Sequence, residues 1–129
     1  MKPRLMILDG VFAMAQIPPG SKIPSWINLD LFSAVVNTSD EMSVVCDEKF
    51  VPDDVKSEPG WKLIMVQGLL DFSLIGILAD LSSVLAQAEI SIFALSTYNT
   101  DYILVKNDQL DEAIRALKQA GYEILGEKV

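Results

Sequence analysis

Two spacings of apolar residues alternate along the second half of the chain. Residues 61–67, WKLIMVQ, form a short apolar run with the length and composition of a largely buried strand, and Gly68 ends it. From Leu74 the period lengthens. Leu74, Ile77, Leu81, Val84, Leu85 and Ala88 fall on one face of a helix, with Ser73 or Asp71 placed to cap it. Residues 90–96, ISIFALS, return to strand composition, and a short polar connection, TYNT, leads into a further strand over 101–105. The small gap predicts a hairpin. Asn107 or Asp108 then precedes a second amphipathic segment with its stripe at Leu110, Ala113, Ile114 and Leu117. Asp111 and Glu112 suit its positive first turn, and Gly121 stands where a helix-terminating glycine belongs. Residues 122–125 complete the order β-α-β-β-α-β, the ferredoxin-like arrangement.

The first half predicts strands without long helices. Strands are expected at 4–8 and 11–17 around a turn at Asp9-Gly10, and at 31–38 and 42–46 around a polar turn. Pro18-Pro19-Gly20 and Pro24 interrupt regular structure, and Trp26 falls in a short irregular or helical piece. Pro52-Asp53-Asp54 and Glu58-Pro59-Gly60 mark a boundary, which divides the chain into modules 1–60 and 61–129. A module of about 60 residues is marginal alone, so the halves are expected to share packing with each other or with a second copy.

Half of the 129 residues are apolar and 22% are charged, which places the chain among folded globular proteins. No apolar run approaches the roughly 20 residues of a membrane-spanning helix, so no membrane partner is expected. A net charge of −8 disfavours nucleic-acid binding. Cys46, the single cysteine, suits a reducing compartment, and the expected location is the cytoplasm.

The chain contains no histidine, which removes the usual general base and the commonest zinc ligand. It has no CxxC pair, no G-x-G-x-x-G and no phosphate-binding loop. Asp53-Asp54 and Asp111-Glu112 read as solvated charge or helix capping. Cys46 has no histidine to activate it as a nucleophile. No metal site, no cofactor and no catalytic activity are expected. Among ferredoxin-like folds, an acylphosphatase-like site is disfavoured because residues 68–76 carry no Arg or Lys, and an RNA-binding module is disfavoured by the acidic charge.

The stretch 68–105 resembles the ACT-domain superfamily. The carrying motifs are the loop GLLDFSLIGIL at 68–78 and the run ISIFALSTYNTDYILV at 90–105. The second run is similar to the small tandem-ACT bacterial proteins in particular and also resembles the ACT regions of aspartate kinases and of animal cytosolic arginine sensors, and EMSVVC at 41–46 and PSW at 24–26 are similar to the tandem group too. The resemblance implies an α+β, ferredoxin-like fold of two tandem ACT-like modules, the first with reduced helices. It also implies a homodimer and a ligand, an amino acid or a similar small molecule, bound between modules.

The residues that would hold such a ligand follow from the same resemblance. The loop supplies Leu70, Asp71, Phe72, Ser73, Ile75 and Gly76; the hairpin supplies Ser96, Thr97 and Asp101; the first module supplies Ser43 and Val44. A helix start suits the ligand carboxylate. Gly76 either lets a ligand approach the backbone or lets a helix pack closely on the sheet. Asp71 and Ser73 either bind ligand or cap the helix. Asp101, at the entry of an apolar strand, either anchors an ammonium or guanidinium group or bonds its own turn. Ser96 and Thr97 either add hydroxyl contacts or satisfy the hairpin. The expected function is a regulatory small-molecule sensor acting through an unidentified regulated partner. The alternative is an interaction module that dimerises through its sheets without a ligand.

Overall fold

A computed structural model of the chain describes residues 2–67 and 76–126. In chain order the elements are β1 (Leu5–Ile7), β2 (Phe12–Ile17), β3 (Ser33–Asn37), β4 (Met42–Asp47), β5 (Lys56–Val66), α1 (Ile77–Gln87), β6 (Ile92–Ser96), β7 (Asp101–Lys106), α2 (Leu110–Gln119) and β8 (Ile124–Leu125). Short 3-10 turns follow β4, at Glu48–Phe50, and β7, at Asn107–Gln109. The fold is α+β and ferredoxin-like. The chain divides into two compact units. One is Gly10–Trp61; the other joins Met1–Asp9 to Lys62–Val129.

In the C-terminal unit the strand order is β6-β7-β5-β1-β8. The expected β-α-β-β-α-β order is present, with an addition: β1, from the start of the chain, lies between β5 and β8. It runs antiparallel to β5, with Leu5 opposite Val66, and parallel to β8, with Leu5 opposite Ile124. Sequence patterning alone grouped residues 1–9 with the first module; strand pairing groups them with the second. Alternate residues of each strand face the helices. Leu5 and Ile7, Ile64 and Val66, and Ile103 and Val105 meet Leu81 and Leu85 of α1 and Ala113 and Leu117 of α2 in one core.

The start of α2 differs from expectation, and the expected start of α1 lies partly outside the described residues. The described part of α1 begins at Ile77 with Gly76 at the cap and no side-chain cap bond. Leu74, expected as the first turn of that stripe, and the expected caps Asp71 and Ser73 lie outside the described residues. Asn107 and Asp108 do not cap α2 directly. They form the 3-10 turn, and Gln109 takes the cap position. Gly121 does end α2, at φ 100°.

The N-terminal unit has no α-helix among its described residues, in line with the reduced-helix expectation. Its strands run β3-β4-β2-β5, all antiparallel. The expected boundary at Glu58-Pro59-Gly60 is instead strand, because β5 starts at Lys56. Met14 faces Glu58 and Phe12 faces Trp61, so β5 holds one residue more than β2 over this span. That is a β-bulge, a position that tolerates Pro59, and Gly60 supplies its positive φ of 88°. The Gly60 N–H donates to Glu48 Oε1 at 3.0 Å. Ala15, Ile27, Val44 and Cys46 form the buried centre, with Trp26, Val35, Val51 and Val55 packed around them.

Candidate functional site

The β6–β7 hairpin brings three of the expected site residues together. Ser96 stands opposite Asp101 in the strand register. Its hydroxyl donates to Asp101 Oδ1 at 2.7 Å. The bond runs across the hairpin from one strand to the other. An ionised carboxylate accepts several hydrogen bonds, so this one leaves Asp101 with acceptor capacity at the mouth of the hairpin.

Thr97 holds the turn itself. Its N–H donates to the Thr100 carbonyl at 2.8 Å, and its Oγ1 accepts from the Thr100 N–H at 3.3 Å. Thr100, absent from the expected set, is the buried polar residue of this hairpin at 7% exposure. Its hydroxyl donates to the Val66 carbonyl at 2.7 Å and fixes the hairpin to the end of β5. The sequence signal for it is a hydroxyl residue directly before a strongly apolar strand.

Gly76 is exposed at the start of α1, in the left-handed region at φ 86° and ψ 6°. A Cβ added there would meet nothing within 4 Å. Close helix–sheet packing is thus not the reason for a glycine; the backbone conformation is. The Gly76 carbonyl accepts from the Asp80 N–H at 2.8 Å, which leaves the first N–H groups of the helix without intrahelical partners. Leu70, Asp71, Phe72, Ser73 and Ile75 lie outside the described residues.

Charge near this helix start is set by a cluster absent from the expected set. Asp80, in the first turn of α1, accepts from the Tyr122 hydroxyl and lies 3.4 Å from Lys2 Nζ. Lys2 also donates to the Ala120 carbonyl at the end of α2 and covers the Tyr122 ring. The Tyr122 hydroxyl, helped by the Lys2 charge, holds the Asp80 carboxyl below its usual range, against a smaller opposing effect of burial. Burial first, then the Asp80 carboxylate, pushes the Tyr122 phenol up.

The first-module candidates lie in the other unit. Ser43 donates to Glu41 Oε1 at 2.8 Å, and the same oxygen accepts from Gln16 Nε2 at 3.2 Å. Val44 is fully buried beside Cys46 and Ala15, and its neighbours across the sheet are Ala15 and Val35. Its side chain is core and cannot reach a ligand. Burial, then the neighbouring Asp47, pushes the Cys46 thiol up to about 11, where it is a poor nucleophile. Among the described residues no group of three or more Cys, Asp or Glu side chains is placed to hold a metal ion. No helix among them is long and apolar enough to cross a membrane.

A family model described as an ACT domain matches residues 56–119. A second model, of an N-terminal domain, matches residues 10–54. A crystal structure of a protein from Agrobacterium tumefaciens is 32% identical with a TM-score of 0.92, and the match covers 100% of this chain and 96% of that one. The cytosolic arginine sensor for mTORC1 subunit 1 of Pongo abelii is 33% identical over 125 residues, 88% of this chain. The chain spans 37% of that sensor's length, and 31% of the human counterpart's. An aspartate kinase of Clostridium acetobutylicum shares the fold at 14% identity and a TM-score of 0.64, over 85% of this chain and 32% of the enzyme. On these matches, and on a fold that carries the β-α-β-β-α-β unit with the glycine-led helix start, the chain belongs to the ACT-domain superfamily.

Proposed function

We propose that this chain is a non-catalytic regulatory module that binds an amino acid in its C-terminal unit and passes the binding on through a partner protein or through its own assembly. The observation that carries the reading is Asp101. A carboxylate stands at the entry of an apolar strand, held in place by the Ser96 hydroxyl and left with capacity to accept more. A ligand ammonium or guanidinium supplies the missing charge. The start of α1 at Gly76, which has no side-chain cap among the described residues, suits the ligand carboxylate. Val44 is withdrawn from the ligand set, because its side chain is core. Membership of the ACT superfamily and the likeness to an arginine sensor support the amino-acid class.

Linkage gives the output. A ligand that binds one arrangement of the molecule better shifts the population toward it, by no more than its difference in affinity. A thermal-shift screen against the twenty amino acids and common nucleotides tests the reading. At 100 times the dissociation constant a ligand adds about 2.7 kcal/mol of stability. One amino acid should raise the melting temperature of the wild type and much less that of Asp101→Asn. No shift with any compound, on well-folded protein, would sink the reading.

A second reading has its own observation. β3 is the outermost strand of its sheet and carries Val36 at 51% exposure. An apolar edge strand can pair with another chain. In that reading the module assembles, as a homodimer, without a ligand. Sedimentation of the wild type and Val36→Lys, with and without the stabilising amino acid, separates the two.

A further inference from the structure

Thr100 and Arg4 between them satisfy the backbone at the end of β5. The Thr100 hydroxyl donates to the Val66 carbonyl at 2.7 Å, and the Gln67 N–H donates to the Arg4 carbonyl at 2.8 Å. The Gln67 side chain stands differently. Its Oε1 is buried and has no hydrogen-bond partner among the described residues. A buried amide oxygen left without a donor costs about 1–3 kcal/mol, and most such groups in native proteins are paired. Replacing Gln67 with an apolar residue of the same length would remove that cost, so the carboxamide works against the stability of the free protein. A local rule broken in this way points to function.

We infer that Gln67 is a specificity-determining contact for the ligand: its side-chain oxygen accepts a hydrogen bond from an N–H donor of the bound amino acid. The inference rests on the amino-acid reading above and adds a residue that the sequence pattern did not suggest. Gln67 is joined through the Val66 carbonyl to Thr100, which directly precedes Asp101. One neutral acceptor and one carboxylate are then tied to the same strand ends. A neutral acceptor selects for a donor without adding charge. A ligand with a carbonyl or carboxylate oxygen in that place would set two acceptors against each other and be rejected.

Gln67→Met keeps the length of the side chain and removes the acceptor; Gln67→Glu keeps an acceptor. The probe is whichever of the twenty amino acids most stabilises the wild type, with its des-amino counterpart, which carries hydrogen in place of the α-ammonium, as the second ligand, both measured by calorimetry on the full chain. Gln67→Met should melt at or above the wild type when free of ligand, and should bind the amino acid roughly ten- to a hundredfold more weakly. Gln67→Glu should keep most of the affinity. If the donor is the α-ammonium, the des-amino acid binds wild type and Gln67→Met equally; if the donor is on the ligand's side chain, the des-amino acid loses affinity as the amino acid does. Equal affinity of the amino acid for wild type and Gln67→Met would overturn the role of Gln67 and leave the sensor reading standing. A ligand-free Gln67→Met that melts well below the wild type would also overturn it, because the oxygen would then have a partner in the free protein. No binding of any amino acid to the wild type would sink the sensor reading itself.

Discussion

The two units solve one problem in two ways. Each is a sheet, antiparallel in the N-terminal unit and with the parallel β1–β8 pair in the C-terminal one, whose apolar face must be covered. In the C-terminal unit α1 and α2 cover it, and the core consists mostly of long aliphatic side chains: Leu5, Ile64, Val66, Leu81, Leu85, Ile103 and Leu117 are all at most 1% exposed. In the N-terminal unit irregular segments take the helices' place. Trp26 and Ile27 arrive from the loop before β3, and Val51 and Val55 from the loop before β5. A helix puts its apolar residues on one side by its period, whereas an irregular segment has no such sorting. The same loop that delivers Ile27 leaves Ile23, Leu29 and Leu31 at 60%, 74% and 46% exposure.

The sharpest way to break this comparison is to truncate one core residue in each unit. Leu81→Ala removes a fully buried side chain from between α1 and the sheet and should cost about 2–5 kcal/mol, the large-to-small range for a close-packed site. Val44→Ala removes two methyl groups from a smaller core, about 1.6 kcal/mol of transfer free energy, with a smaller cavity to add. Urea denaturation of the two variants measures both. A larger loss for Val44→Ala would mean that the helix-free unit is the tighter-packed one.

The same contrast governs how much the sequence reveals. The second half was legible because its period changes from 2 to 3.6 and back, and, apart from the starts of β5 and α1, the elements found there match the pattern within a residue or two. The position of β1 was not legible, since five residues that read as a strand carry no mark of which strands they join. The start of β5 was misread because Pro and Gly usually end a strand, and only the extra residue at the bulge shows that Pro59 and Gly60 sit inside one. In the candidate site, Ser96, Thr97 and Asp101 each stood out as polar residues beside an apolar strand. Their division of labour did not. Opposite positions in the register give Ser96 to Asp101, and the four-residue turn gives Thr97 to Thr100. Gln67 was invisible because nothing in its sequence neighbours marks a buried amide.

An intermediate effect is expected at the Lys2, Asp80 and Tyr122 cluster, which has no counterpart among the described residues of the helix-free unit. Asp80 is held below its ordinary value of 3.8, so it contributes stability that is present above that value and is lost as pH falls through the lower, folded-state one. Tyr122 is raised above its ordinary 10.0, so the stability it contributes is present below pH 10 and is lost as pH rises further. Tyr122→Phe should cost about 1 kcal/mol at neutral pH. It should also flatten the alkaline limb above pH 10. Unfolding free energies between pH 8 and 11 read both effects. An alkaline limb unchanged by the substitution would place its origin at another group.

The smallest effect lies in how the two helices end. Both use the same pair of backbone bonds. In α2 the Gly121 N–H donates to Lys118 and the Tyr122 N–H to Leu117; in α1 the Glu89 N–H donates to Ala86 and the Ile90 N–H to Leu85. The residue that turns the chain must be left-handed, and it is Gly121 in one helix but Glu89, at φ 61°, in the other. A side chain in that conformation costs roughly 1–2 kcal/mol, part of which glycine returns through its freer unfolded state. Glu89→Gly should therefore stabilise the protein by up to about 1 kcal/mol, where most substitutions do the reverse. Because the bonds are already made, the gain should leave the dependence of unfolding free energy on urea unchanged in slope and move only its midpoint. A loss of stability would mean that the Glu89 side chain contributes more to the end of α1 than its backbone strain takes away.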